Sequence, residues 1–397
     1  MVFIPLYSIY GHNWYIFSRG YILVAIAFVW YSVLLRFYVD VNKRGFYGKD
    51  PTLKYSVIVP VYNEEKKYLF ETIKSIVDNE GKKEIIIADD GSNQETKKVI
   101  RAISKTFKNI KVATLPENRG KKFAQAYALQ HFVTTDYIVT CDSDTVFEKD
   151  ALLKLITPLK NKKIGVTNVN IDIANANTNL MTRMQQLQNY GAFMVGRKAL
   201  GGLGIMNCAS GIGIGIRTQD WKNIMVEYLG DRPFKFNCKF GEDRFMTNIM
   251  LKAGFKVVMV EDSKAITYVP EKVSHFLKQQ LRWRISGIIE GVHVISFSWK
   301  KPVLFFYSIM NFLLPFFCIS IIITFVAVSI IMQDYLRLLS FLAVIILASF
   351  VRSAIVIYER KDLMKYIIPF SIFNLFAVLW LWIYACFRIN EQSWITR

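Results

Sequence analysis

The chain has 397 residues and a formal net charge of +19 at pH 7, and 53% of its residues are hydrophobic. That length accommodates one large catalytic domain plus a membrane domain, and so apolar a composition argues against an ordinary soluble protein. The cysteines Cys141, Cys208, Cys238, Cys318 and Cys386 form no CxxC pair, and His12, His131, His275 and His293 make no zinc spacing with them, which argues against a disulfide or zinc framework and fits a catalytic region in a reducing compartment.

Uncharged runs locate the membrane segments. Gly20 to Leu35 is the first, and no basic stretch or small-residue cleavage site marks it as a removable signal. Pro302 to Met332, Leu338 to Val351 (continuing past Arg352 to Tyr358) and Tyr366 to Phe387 follow. Each approaches the ~20 apolar residues of a bilayer-spanning helix. The basic clusters Arg36, Lys43, Arg44, Lys49 and Lys54, then Lys300 and Lys301, then Arg360, Lys361 and Lys365, all fall inside if the N-terminus is outside and the middle of the chain is cytosolic. The positive charge suits anionic phosphates, anionic lipids or a polyanionic product, although a lysine-rich surface explains most individual lysines equally well. Nucleic acid is not expected as a partner, and the sequence leaves the oligomeric state open.

Between residues 50 and 270 short apolar strands alternate with helical patterns. Tyr55 to Pro60 reads as a buried strand, and Leu69, Ile73 and Val77 share the i, i+4, i+8 face of a following helix. Glu84 to Ala88, Asn109 to Thr114 and Asp136 to Cys141 are further strands. Such alternation predicts a mostly parallel α/β sheet, whose ligands bind at the carboxyl ends of the strands.

The acidic clusters sit at those ends. Asp142-Ser143-Asp144 offers two hard oxygen donors for a divalent ion that also binds phosphates, or two solvated turn aspartates. Asp89-Asp90-Gly91-Ser92 is either a turn or an acceptor for a uracil N–H or ribose hydroxyl. Asn118-Arg119-Gly120-Lys121-Lys122 places cations at a helix start, which suits a diphosphate. Gly241-Glu242-Asp243-Arg244 opens an apolar helix, either as a cap or as a general base held by its neighbours. Gln279-Gln280-Leu281-Arg282-Trp283 lies on an amphipathic stretch from Lys272 to Trp299, where an arginine can clamp a pyrophosphate and a tryptophan can stack on a sugar, at the membrane surface.

Together, Val59-Pro60-Val61-Tyr62-Asn63-Glu64, Asp89-Asp90-Gly91, Gly120-Lys121-Lys122, Asp142-Ser143-Asp144, Gly241-Glu242-Asp243-Arg244 and Gln279-x-x-Arg282-Trp283 resemble, in order and spacing, the processive family-2 glycosyltransferases. These include the hyaluronan, chitin, cellulose and capsule synthases. Thr178 to Arg183 and Cys208-Ala209-Ser210-Gly211 resemble stretches of hyaluronan and rhizobial chitooligosaccharide synthases, and Trp394-Ile395-Thr396-Arg397 resembles the ending of hyaluronan and some capsule synthases. The resemblance implies a GT-A-type catalytic domain, amphipathic interface helices and an α-helical transmembrane bundle in a multi-pass plasma-membrane protein. It implies that Pro60, Tyr62, Glu64 and Asp90 hold uridine, that Lys121, Gln279 and Arg282 meet the diphosphate, and that Asp142 contacts UDP or the sugar. Asp144, with Asp142, then binds Mg²⁺ or Mn²⁺. Asp243 is the implied base, with Glu242 and Arg244 beside it. Cys208, Ser210, Gly211 and Trp283 line the acceptor end, and Trp394 and Arg397 close over the nucleotide.

The expected units are an N-terminal membrane segment (1–40), a cytosolic GT-A domain (41–271), interface helices (272–301) and C-terminal membrane or re-entrant segments with the WxTR tail (302–397). The expected reaction is inverting β-glycosyl transfer from UDP-sugars onto a growing polysaccharide, with hyaluronan from UDP-GlcNAc and UDP-GlcA first. A chitin-type synthase, a capsule synthase using UDP-Glc and UDP-GlcA, a non-processive transferase to a lipid phosphate and a non-enzymatic scaffold on a decayed transferase fold are the alternatives. Ile212 after Gly211, Glu242 before Asp243 and Ile395 after Trp394 depart from the hyaluronan-synthase pattern and leave the product open. Four full spans would put Trp394 and Arg397 outside, so Tyr366 to Phe387, broken by Pro369 and Asn374, is expected to be re-entrant or interfacial.

Overall fold

A computed structural model of the chain describes residues 35–40, 48–231, 240–333 and 353–390, together with residues 336, 339 and 350. Most of the first and third apolar runs, Arg352, Cys238, Trp394 and Arg397 lie outside the described residues. The strands are β1 (Lys54–Val61), β2 (Lys82–Asp89), β3 (Ile110–Thr114), β4 (Tyr137–Thr140), β5 (Thr145–Phe147), β6 (Ile164–Ile173), β7 (Ile214–Arg217) and β8 (Lys256–Thr267). They form one sheet in the order β3-β2-β1-β4-β7-β6-β8-β5.

The half built from β1 to β4 is parallel throughout, with Val61 in register with Asp89 and Asp89 with Thr114. Crossover helices make this possible. In helix Lys66–Asp78 the residues Leu69, Ile73 and Ile76 form the buried face, and Asn93 caps helix Gln94–Thr106 by accepting from the Thr96 N–H at 2.9 Å. The other half is mixed. β7 is antiparallel to β4 and to β6, β6 is parallel to β8, and β5 is antiparallel to β8. Val57, Ile58, Ile86, Ile87 and Val139 are fully buried between the layers.

Beyond the sheet runs helix Val273–Ser298, whose Phe276, Leu281, Ile285 and Ile289 are buried. Among the described residues, two helical segments are long and apolar enough to cross a membrane by length and composition, Pro302–Ile331 with mean hydropathy 2.7 and Lys361–Phe387 with mean hydropathy 1.9. The second is not a uniform rod. A 3₁₀ turn (Lys361–Tyr366), an α-helix (Ile367–Phe373), a π turn (Asn374–Val378) and a final α-helix (Leu381–Phe387) follow one another. The π turn begins at Asn374, one of the residues expected to spoil a simple span. The segment packs on protein: Val378 clusters with Met181, Met184 and Phe276, and Trp382 meets Phe316 edge-on at 6.0 Å.

The described end of the first apolar run docks on the same framework. Arg36 is buried, paired with Asp40 and, at 3.0 Å, with Glu359, and it donates to the Met194 carbonyl. Three distant stretches of chain therefore meet at one ion cluster beside the catalytic domain.

Candidate active site

Because β1, β2 and β4 run parallel, their carboxyl ends open on one edge of the sheet. Pro60 is buried within β1, past the last rung with β4 at Ile58 and Thr140, so its missing N–H costs no bond on that side. Tyr62 stands 46% exposed just beyond the strand, able to present its ring to a ligand. Glu64 turns inward and is buried; its carboxylate accepts from Ser143 Oγ at 2.5 Å, tying the end of β1 to the Asp142-Ser143-Asp144 turn. Asp90 is also buried. Its two oxygens accept from the backbone N–H groups of Arg119 and Gly120 at 2.8 and 2.9 Å, so it fixes the basic loop at the start of helix Lys121–His131. Burial pushes the Asp90 carboxyl up, and those two N–H groups pull against it. Each oxygen keeps a further lone pair for a ligand.

Lys121 is the junction of the site. Its ammonium lies 2.5 Å from Asp142 and 3.3 Å from Glu242, joining the turn after β4 to the acidic pair that opens helix Glu242–Lys252. Burial alone would lower its pKa, but the charges of Asp142 and Glu242 outweigh this and hold it well above the usual lysine value. Gly211 passes directly over this pair: a Cβ there would sit 2.7 Å from Lys121 Nζ and 3.4 Å from Asp142 Oδ1, so a side chain at this position would push the Lys121 ammonium aside. The Gly211 N–H in turn donates to Asp243 at 3.1 Å, and the Arg244 N–H donates to the other oxygen of Asp243 at 2.7 Å. Burial and the neighbouring Glu242 charge push the Asp243 carboxyl up, against the pull of Lys121. A carboxylate raised in this way is a better proton acceptor near neutral pH than an exposed aspartate.

Gly241 sets the angle at which this acidic pair is presented. Its φ is +79°, and a Cβ would land 1.9 Å from Ser286 Oγ on helix Val273–Ser298. Gly241→Ala is therefore expected to destabilise the protein by about 1–3 kcal/mol, the typical cost of a strained backbone position, and to lower turnover. Thermal unfolding in detergent and UDP release measure the two effects.

Sequence reasoning missed a buried polar contact on the same two helices. Glu290 accepts from Asn248 Nδ2 at 2.9 Å and pairs with His293 Nδ1 at 3.1 Å. The Arg244 pKa, lowered by burial, is raised overall by Cys208, Asp243 and Glu290. A lone acid inside the apolar run Gly287 to Val292 was the available signal. Glu290→Gln is expected to leave UDP binding intact and to cut turnover by up to about 10²-fold, as for small misplacements of a reacting group; nucleotide titration beside initial rates separates the two.

Ser210 is anchored through its N–H to Asn168 at 3.1 Å, and Cys208 accepts from Arg197 at 3.8 Å. Gln279 and Arg282 are half-buried on helix Val273–Ser298, and Trp283 is 44% exposed, while the adjacent Gln280 is buried against Gln188 and Arg284. The structure thus brings Lys121, Asp142, Gly211, Glu242 and Asp243 into direct contact, with Asp90 and Glu64 as supports behind them. Lys122 points away, to the Leu229 and Gly230 carbonyls. Trp394 and Arg397 lie outside the described residues. Among the described residues no group of three His, Cys, Asp or Glu could hold a metal ion by itself.

Comparison with known proteins bears on the family and the fold. The family model described as glycosyl transferase family 2 matches residues 56–222. An N-acetylglucosaminyltransferase from Azorhizobium caulinodans is 27% identical over 354 residues, 87% of this chain and 88% of that protein. A hyaluronan synthase from Streptococcus pyogenes is 27% identical over 361 residues, 89% of this chain and 85% of that protein. Among solved structures, a mannosyltransferase from Pyrobaculum calidifontis, in complex with GDP-Man and Mn²⁺, superposes with a TM-score of 0.62 at 18% identity, covering 90% of this chain and 99% of that one. That likeness shows the fold, a GT-A-type α/β domain.

Proposed function

Since the chain is a family-2 glycosyltransferase, we propose that it polymerises UDP-sugars with inversion at a membrane surface, and that its product is hyaluronan, made from UDP-GlcNAc and UDP-GlcA. The observation that carries the reading is the Lys121 bridge. One half-buried cation contacts Asp142 on the nucleotide side and Glu242 beside Asp243, so the leaving-group end and the proton-accepting end of a transfer reaction meet within one cluster.

In this reading uridine sits against Tyr62 and Asp90, and the diphosphate lies between Lys121 and Arg282. The acceptor sugar rests on Trp283 with its hydroxyl toward Asp243. Asp243 takes the hydroxyl proton as the acceptor oxygen bonds to the anomeric carbon and the bond from that carbon to the diphosphate oxygen breaks, so UDP leaves from the opposite face. Asp142 and Asp144, two hard oxygen donors at a strand end, would hold Mg²⁺ or Mn²⁺. Such an ion neutralises charge on the departing diphosphate. Release of Lys121 from Asp142 to the phosphates would accompany donor binding.

The helices Pro302–Ile331 and Lys361–Phe387 support attachment to a membrane; in this reading it is the plasma membrane, with the catalytic domain cytosolic. The broken helix Lys361–Phe387, packed on protein, supports a re-entrant segment that keeps the C-terminal tail inside. Protection of a C-terminal tag on the outer face would contradict that placement.

The 27% identity to an N-acetylglucosaminyltransferase over 87% of the chain, and Glu242 in place of aspartate, favour a second reading, a chitin-type product from UDP-GlcNAc alone. Purified protein in proteoliposomes with Mg²⁺ or Mn²⁺ decides between them. UDP release that needs both UDP-GlcNAc and UDP-GlcA, with a hyaluronidase-sensitive product, supports hyaluronan. Product from UDP-GlcNAc alone supports the second reading, and silence with every donor would refute both.

A further inference from the structure

Arg197 closes a π turn, Ala192–Arg197, inserted between the α-helices Leu180–Gly191 and Lys198–Gly202. Such turns are rare and concentrate at functional sites. Its guanidinium stacks 3.9 Å above the Phe193 ring, and Nη2 donates to Cys208 Sγ at 3.8 Å. Nη1 is closed off from water with no hydrogen-bond acceptor, although the residue as a whole is only half-buried. The neighbouring Lys198 is paired with Asp40 at 3.1 Å and Glu261 at 2.6 Å; Arg197 makes no such ion pair among the described residues. A thiol is a weak acceptor, and a guanidinium N–H closed off from water without an acceptor is costly. The fork is therefore left able to take a stronger acceptor from the substrate.

Its position says which part of the substrate that is. Contacts run from Lys121 past Gly211 to Asp243, and from Arg244 through Cys208 to Arg197. Arg197 contacts Cys208, a residue expected at the acceptor end, which places it beside that end and not at Lys121 and the diphosphate. We propose that Arg197 binds the carboxylate of a uronic acid in the growing chain. This rests on the glycosyl-transfer reading and narrows it to an anionic polymer. The guanidinium fork matches a carboxylate bidentately, whereas a neutral amino sugar offers only hydroxyl and amide oxygens.

The test is equilibrium binding to the full-length protein in detergent, which needs no turnover. The probes are a tetrasaccharide alternating glucuronate with N-acetylglucosamine, chitotetraose, and UDP. The wild type is expected to prefer the uronate tetrasaccharide by about ten- to hundredfold, the worth of one charge-assisted contact. Arg197→Gln is expected to erase that preference while chitotetraose and UDP affinities stay unchanged; Arg197→Lys, the fallback if the glutamine variant does not fold, is expected to retain only part of it. Equal wild-type affinity for the two tetrasaccharides, or a preference that survives Arg197→Gln, overturns the proposal. Parallel loss of UDP affinity also overturns it, by marking Arg197 as structural. Failure of the wild type to release UDP from any nucleotide sugar is a separate result, which defeats the glycosyl-transfer reading and not the measured preference.

Discussion

Asp243→Asn is expected to lower turnover by about 10²–10⁴-fold, the usual contribution of a positioned general base, with UDP affinity unchanged. The substitution is nearly isosteric. An asparagine oxygen still accepts from the Gly211 N–H, which now meets Asp243 at 3.1 Å, so the loop over Lys121 has no reason to move. What is lost is the capacity to take a proton, together with the acceptor for the Arg244 N–H. Glu242→Gln makes the informative comparison, because Glu242 lies 3.3 Å from Lys121 and its charge helps to raise the Asp243 pKa. Losing that charge is expected to lower the Asp243 pKa and to cost less turnover than losing Asp243. UDP release under saturating donor, together with nucleotide binding, measures both. An active Asp243→Asn enzyme beside an inactive Glu242→Gln enzyme would move the base to Glu242.

The parallel half of the fold and the acidic edge were legible because local signals there agree. The strand Tyr55 to Pro60 is β-branched and fully buried, the helix after it shows its period at Leu69 and Ile73, and the strands end where the aspartates begin. The mixed half was not legible. β5 has three residues, and β7 and β8 pair with partners far away in sequence, so their register depends on packing that no short window records. The same limit applies within the site. Motif spacing named Lys121, Asp142 and Asp243, but the bridge from Lys121 to Glu242 joins residues brought together only by the sheet and helix Glu242–Lys252. Roles expected for buried residues also change in emphasis. Asp90 and Glu64, expected at the uridine, also accept from the Arg119–Gly120 loop and from Ser143. Gly241 illustrates the converse: its neighbours advertise a helix start, but the need for glycine comes from Ser286, a residue on another helix.

Lys121→Met is expected to cut kcat/KM by about 10²–10³-fold at neutral pH, the range seen on removing one preorganised electrostatic donor, and to move the acidic limb of the pH profile to higher pH. The direction follows from the charges. The Asp243 carboxyl is pushed up by burial and by Glu242, and Lys121 pulls it back. Methionine keeps an unbranched side chain but no charge, so the upward push goes unopposed. Proton acceptance requires the ionised carboxylate, and a higher pKa leaves less of it at neutral pH, so part of the lost rate returns as the pH rises. Lys121→Arg retains the charge and is expected to keep the limb near its wild-type position, even though a planar guanidinium fits the 2.5 Å contact with Asp142 less well. A Lys121→Met profile displaced downward with its limb unmoved would confine Lys121 to the diphosphate. A shifted limb would mean that one half-buried cation serves both ends of the reaction, neutralising the leaving group and tuning the base, which the contacts to Asp142 and Glu242 predict.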